Sequence, residues 1–136
     1  MEVVLTSNKK YIFTTQLPTN SVLLFDGFLF NEENHLDLQP CSEKINFFLI
    51  KTNSSNVIAR CTFFIEKDHA LSPYRAPFGS LEFCESISFD VLDEFWKIIE
   101  STLIEKRIKK ITIKTYPFCY QTQNSEMLSF LLLSNS

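Results

Sequence analysis

Between Ile45 and Glu66 two apolar runs are split by Asn53-Ser54-Ser55-Asn56, a cluster of turn-forming residues. The pattern predicts a hairpin of strands over 45–52 and 57–66. In the second strand Val57, Ala59, Cys61, Phe63 and Ile65 alternate with Ile58, Arg60, Thr62, Phe64 and Glu66. Both sets are partly apolar, which predicts a central strand covered on both faces. Further along the period changes. Leu92, Phe95, Trp96, Ile99 and Leu103 recur at three- and four-residue steps and give a helix one apolar face. Ser88 or Asp90 can cap its first turn. Asp90, Asp93 and Glu94 suit the positive end of the helix dipole, and Lys106, Arg107, Lys109 and Lys110 suit the far end. Ile111 and Ile113 then alternate with Thr112 and Lys114, a strand pattern. With a strand over 79–83, this predicts a strand–helix–strand unit with parallel strands and a right-handed crossover.

The flanks are less regular. Residues 10–15 predict a short strand that ends at Leu17-Pro18-Thr19-Asn20. Residues 21–30 are strongly apolar, with Asp26-Gly27 as a tight turn or a bulge. Residues 31–43 are polar and read as a surface loop. Residues 68–78 read as a loop and connection, with Pro77-Phe78-Gly79 as a turn. Asn124-Ser125-Glu126 marks a helix start. Met127, Leu128, Phe130, Leu131, Leu132 and Leu133 follow, apolar almost all round, which predicts a buried helix.

The chain of 136 residues is long enough for one domain with a sizeable core. Fourteen Phe against two Gly imply large core side chains and little backbone suited to cradling phosphates. A net charge of −3 argues against a broad nucleic-acid surface, which needs clustered Lys and Arg. Cys41, Cys61, Cys84 and Cys119 are widely spaced and form no C-x-x-C pair. No signal-peptide pattern opens the chain, and no run approaches the roughly 20 apolar residues of a membrane span. The expectation is free thiols in a cytoplasmic protein, with Cys61 a small core residue.

The segment 72–83, Ser-Pro-Tyr-Arg-Ala-Pro-Phe-Gly-Ser-Leu-Glu-Phe, and the segment 114–120, Lys-Thr-Tyr-Pro-Phe-Cys-Tyr, carry a resemblance to the GCN5-related N-acetyltransferase superfamily, including its FemAB-like branch. The resemblance spans roughly residues 45–136, and such relatives are usually longer, with further strands. It implies an α/β (α+β) fold: a mixed, mainly antiparallel sheet, a strand–helix–strand unit and a second buried helix. It implies acyl-CoA-dependent transfer to an amine of unknown identity. In such proteins the acyl donor sits where two strands splay, its pyrophosphate on a glycine-containing loop at the helix N-terminus. The matching loop here is Cys84-Glu85-Ser86-Ile87-Ser88, which has no glycine and carries a carboxylate.

By this resemblance Glu82 is the candidate general base, against a plain reading as an exposed strand carboxylate. Tyr120, or Tyr116, is the candidate acid for a leaving thiolate. Ser86 and Ser88 are candidates for holding acetyl-CoA, and Arg75 for binding an acidic ligand group. His35 and His69 lack partners at metal-ligand spacing and read as loop residues, so no metal is expected. Cys119 has no neighbouring base to activate it. The alternative reading is a non-catalytic binding or regulatory module on the same scaffold. It would recruit a second copy or another protein through the C-terminal helix or a sheet edge.

Overall fold

The computed structural model describes residues 2–4, 10–17, 19–25, 36–38, 43–52, 54–73, 81–115 and 122–135. Its strands are β1 (Glu2–Val4), β2 (Tyr11–Thr14), β3 (Val22–Leu23), β4 (Lys44–Lys51), β5 (Asn56–Glu66), β6 (His69–Ser72), β7 (Glu82–Phe83) and β8 (Lys110–Ile113). The helices are α1 (Phe89–Glu105) and α2 (Thr122–Ser134). The fold is mixed α/β with a mainly antiparallel sheet. Its main path runs β1-β2-β4-β5-β6-β8, and β3 and β7 both pair with β5.

β5 is the axis of the sheet. β4 pairs antiparallel along one of its edges from Phe64 to Val57, with a register shift between Leu49 and Ile50. Three short strands share the other edge. β3 lies parallel at Asn56 and Val57, β7 antiparallel at Ala59 and Arg60, and β6 antiparallel from Phe64 to Glu66. Both β6 and β7 run against β5, so they run the same way, separated by the connection 73–81.

The two faces of β5 differ as its sequence does. Ala59, Cys61 and Phe63 face α1 and join Phe13, Phe47 and Leu49 in the core. Leu92, Phe95, Trp96, Ile99 and Leu103 are all buried, as the helical spacing requires. Phe95 meets Phe13 with ring centroids 5.8 Å apart, and Trp96 meets Phe63 at 6.3 Å. Burying one such side chain stabilises the fold by about 1.5–3 kcal/mol, so this face dominates stability. Leu128 and Leu131 bring α2 into the same cluster.

Several expectations are corrected. His69 to Ser72 is a strand, not part of a loop, and it pairs in parallel with β8, while β7 and β8 run the same way as expected without being neighbours. His69 is therefore a strand residue, and its Nε2 lies 2.7 Å from Thr112 Oγ1 across that pair. The segment is four residues long and ends against Pro73, too short for its alternation to register. Helix α2 is buried on one side only, with Phe130 and Leu133 at 61% and 75% exposure. A helix on the rim of a two-layer fold has one face to bury, whatever its composition. Leu36 is buried although the polar stretch around it reads as surface. The cations after α1 lie beyond its end: Lys106 is the C-cap and Arg107 takes φ 65°. The turn Asp26-Gly27 and the Pro77-Phe78-Gly79 turn lie outside the described residues.

Candidate functional site

β7 places Glu82 directly across from Arg60 of β5. Side chains alternate along both strands, so these two leave the α1 face and meet on the opposite, outer face. Arg60 Nε donates to Glu82 Oε2 at 2.7 Å. Glu82 is 1% exposed and Arg60 9%. Glu82 is thus a buried strand residue, which corrects its plain reading as an exposed carboxylate. The Arg60 guanidinium carbon also lies 5.7 Å from the centre of the Phe25 ring, a cation–π contact. Oε2 is committed to Arg60, so that oxygen takes a proton from a substrate amine only by leaving a buried ion pair.

Next to this pair the outer face stays polar. Thr62, two residues on from Arg60, donates to Asn46 Oδ1 at 2.7 Å from the facing position on β4. Thr14 caps its own strand end, its Oγ1 accepting from Gln16 N at 3.1 Å. On the α1 face, burial pushes the Cys61 thiol up to about 12. The Glu82 carboxylate adds to that shift, and a hydrogen bond with Ser72 opposes it. Cys61 is therefore an inert core thiol, as its alternation predicts.

The loop from β7 into α1 is set by backbone bonds. Cys84 N donates to Ile58 O at 2.8 Å and continues the β5 pairing, and Ile87 N donates to Cys84 O at 3.1 Å to close a turn. Ser88 is the N-cap, its Oγ accepting from Val91 N at 3.4 Å. Ser86 Oγ lies 3.1 Å from Cys84 Sγ. Cys84, Glu85 and Ser86 open onto a cavity of about 560 Å³, closed on other sides by Phe25, Phe83 and Asn124. Asn124, buried at the start of α2, donates from Nδ2 to Phe83 O at 2.9 Å and ties that helix to the strand.

A pyrophosphate does not fit this loop. The N-terminal end of α1 offers backbone N–H groups, which suit an anion. Glu85 lines the cavity, no Lys or Arg lines it among the described residues, and Asp90 adds negative charge in the first turn of α1. The Ser88 hydroxyl already accepts from Val91 N. Of the candidates from sequence, Ser86 lines the cavity, Ser88 caps the helix beside it, and Glu82 points to the other face. Arg75, Tyr116, Tyr120, Cys119 and His35 lie outside the described residues. Among the described residues no cluster of three potential ligands for a metal ion occurs, and no helix is long and apolar enough to cross a membrane.

Arg60 and Asn46 are not singled out by the sequence, and Asn124 only as a helix start. Arg60 had a signal: it is the one charge between Val57 and Ile65 in a strand expected to be covered on both faces. A charge in such a strand calls for a buried counter-charge, and Glu82 is that partner. Comparison with protein-family models, with curated proteins and with solved structures finds no match for this chain.

Proposed function

We propose that this chain is an N-acyltransferase domain of the GCN5-related kind, which moves an acyl group from a thioester donor to an amine of unknown identity. The observation that carries the reading is the opening beside α1. β7 and β8 flank that helix in sequence and run in the same direction, yet β7 pairs with β5 and β8 with β6. The 560 Å³ cavity lies where β7 gives way to α1. In this reading the cavity takes the acyl-bearing arm of the donor, with Ser86 and Ser88 at its mouth. The misfit of a pyrophosphate at Glu85 means that recognition rests on that arm and not on a nucleotide. Tyr120 keeps the proposed role of acid, and Arg75 that of a contact to an acidic group of the acceptor. Glu82, proposed as base from sequence, serves with Arg60 to fix the sheet beside the site.

A second reading is a non-catalytic binding module on the same scaffold. The commitment of Glu82 to Arg60 favours it, because a base must reach the amine.

Thermal melts with millimolar acetyl-coenzyme A and, separately, millimolar acetyl-pantetheine distinguish these readings. A ligand at about 100 times its dissociation constant stabilises the fold by roughly 2.7 kcal/mol. For a domain of this size that is a rise of about 9 °C. The expected result is a similar rise with both compounds. A rise with acetyl-coenzyme A alone would show that the nucleotide is gripped after all. No rise with either, from a chain that melts cooperatively, gives the second reading.

A further inference from the structure

Strand β8 ends the main path of the sheet, and its one strand partner among the described residues is β6. Its other edge is open. Which groups point there follows from the ladder. Lys110 N and Lys114 N donate to Asp68 O and Ser72 O on the β6 side, at 3.2 and 2.9 Å. Backbone groups alternate in direction along a strand, so Ile111 and Ile113 turn their N–H and C=O groups to the open edge. The side chains of these two residues face α1, because Ile111 lies beside Ala70 of the core. Both are only half-buried. Alternation puts Lys110, Thr112 and Lys114 on the outer face, where both lysines are exposed. Arg107 and Lys109, just before the strand, are exposed as well. Glu66 closes β5 and Asp68 precedes β6, so these carboxylates stand on the β6 side of β8, away from the open edge. The carboxylates of α1 belong to the other face of the sheet.

We infer that the open edge of β8 takes an added strand from another protein, one in which acidic and apolar residues alternate. A strand laid along this edge pairs with the free backbone groups of Ile111 and Ile113. Its side chains then fall alternately on the two faces of the sheet. Those on the α1 face lie beside Ile111 and Ile113, so apolar residues there extend a cover that is incomplete. Those on the outer face lie beside Lys110, Thr112 and Lys114, where carboxylates are the complementary charge. A second copy of this chain does not meet that requirement. Pairing β8 with β8 sets the lysines of one copy against those of the other. Lysines on an edge strand guard it against its own kind. The same lysines select a strand of opposite charge, so exclusion and recognition come from one pair of residues. The inference does not rest on acyl transfer, because β8 is not among the residues that line the cavity beside α1.

Three hexapeptides with blocked ends test it, each titrated to millimolar concentration while the backbone amide signals of the full chain are followed by NMR. The peptide of alternating glutamate and valine is expected to give saturable shifts centred on Ile111 and Ile113 and to slow hydrogen exchange at both amides. Alternating lysine and valine should give no saturable shift. Three glutamates followed by three valines, with the same charge but no alternation, should bind several-fold more weakly. Added salt should weaken the first peptide, because its charges meet exposed lysines. Lys110→Glu/Lys114→Glu changes two exposed positions, so it should leave the melting midpoint nearly unchanged and reverse the preference to the lysine peptide. No saturable shift with glutamate and valine, or shifts that map away from β8, would overturn the site and leave the lysines as guards of a bare edge. Equal binding of the unpatterned peptide would overturn strand addition in favour of simple charge attraction. An unchanged preference in the charge-reversed variant would overturn the partner chemistry. A free chain that is already dimeric, with Ile111 and Ile113 protected from exchange, would put a second copy on the edge and overturn the occupant.

Discussion

The Arg60–Glu82 pair is where one substitution separates a buried charge that stabilises from one that is merely matched. Each ion has left water, and each is tolerable because the other is 2.7 Å away. Removing one partner strands its mate in the sheet, at a cost of about 3–5 kcal/mol. Glu82→Gln and Arg60→Gln should both show this in chemical denaturation, as a lower midpoint at unchanged slope. The double variant Arg60→Met/Glu82→Leu, apolar and of similar bulk, should recover most of the loss. Two small, additive losses would mean that the residues do not depend on each other. This also bears on function. Any loss of activity in Glu82→Gln must be compared with Arg60→Gln, because a catalytic base and a stranded arginine both reduce turnover. Only the base leaves folding intact.

At the level of elements, the N-terminus of α1 joins the sheet to the loop over the cavity. Ser88→Ala removes the cap of a 17-residue helix and should cost about 1 kcal/mol, read as a lower melting midpoint. Ser86→Ala, two residues earlier and exposed, should leave the midpoint nearly unchanged. If Ser86→Ala is the costlier change, the cap has been misplaced and the loop is held by Ser86. Elements with a strong period were legible in sequence. The β4–β5 hairpin, the apolar face of α1 with its Ser88 cap, and β8 all follow from spacing that a single chain reveals. β6 and β7 were not, or only in part, because two and four residues carry too little alternation. Their pairing depends on β5 offering an edge, which is tertiary information. For the same reason the neighbour of β8 is not legible in sequence, although its direction relative to β7 is, and Leu36 is hidden in a polar stretch. The candidate site was legible in part. Glu82 stood out by resemblance, but its burial depends on Arg60, which lies 22 residues earlier and meets it only across paired strands.

For the whole molecule, one face of the sheet binds α1 and α2 into one core, while the outer face mixes the polar Asn46, Arg60 and Thr62 with the apolar Phe48 and Phe64. Phe13 from β2, Phe47 and Leu49 from β4, Phe63 from β5, Phe95 and Leu103 from α1, and Leu128 and Leu131 from α2 all belong to a single cluster. These elements share one cluster of buried side chains, so the described part of the chain should unfold in one step. Trp96 is the only tryptophan, is 5% exposed and lies against Phe63, so its fluorescence reports the contact between α1 and β5. Far-UV circular dichroism reports all the strands and helices together. The two signals are expected to give superimposable denaturation curves with one midpoint. A fluorescence transition at lower denaturant than the dichroism transition would mean that α1 leaves the sheet first. The Phe-rich face would then be a docking surface between two units, not the core of one. Leu131→Ala sharpens the test, because Leu131 belongs to α2, while Trp96 is on α1. In a single cooperative unit it should lower both midpoints equally, with a loss of about 2–5 kcal/mol from the cavity left in α2. A loss confined to the dichroism signal would place α2 outside that unit.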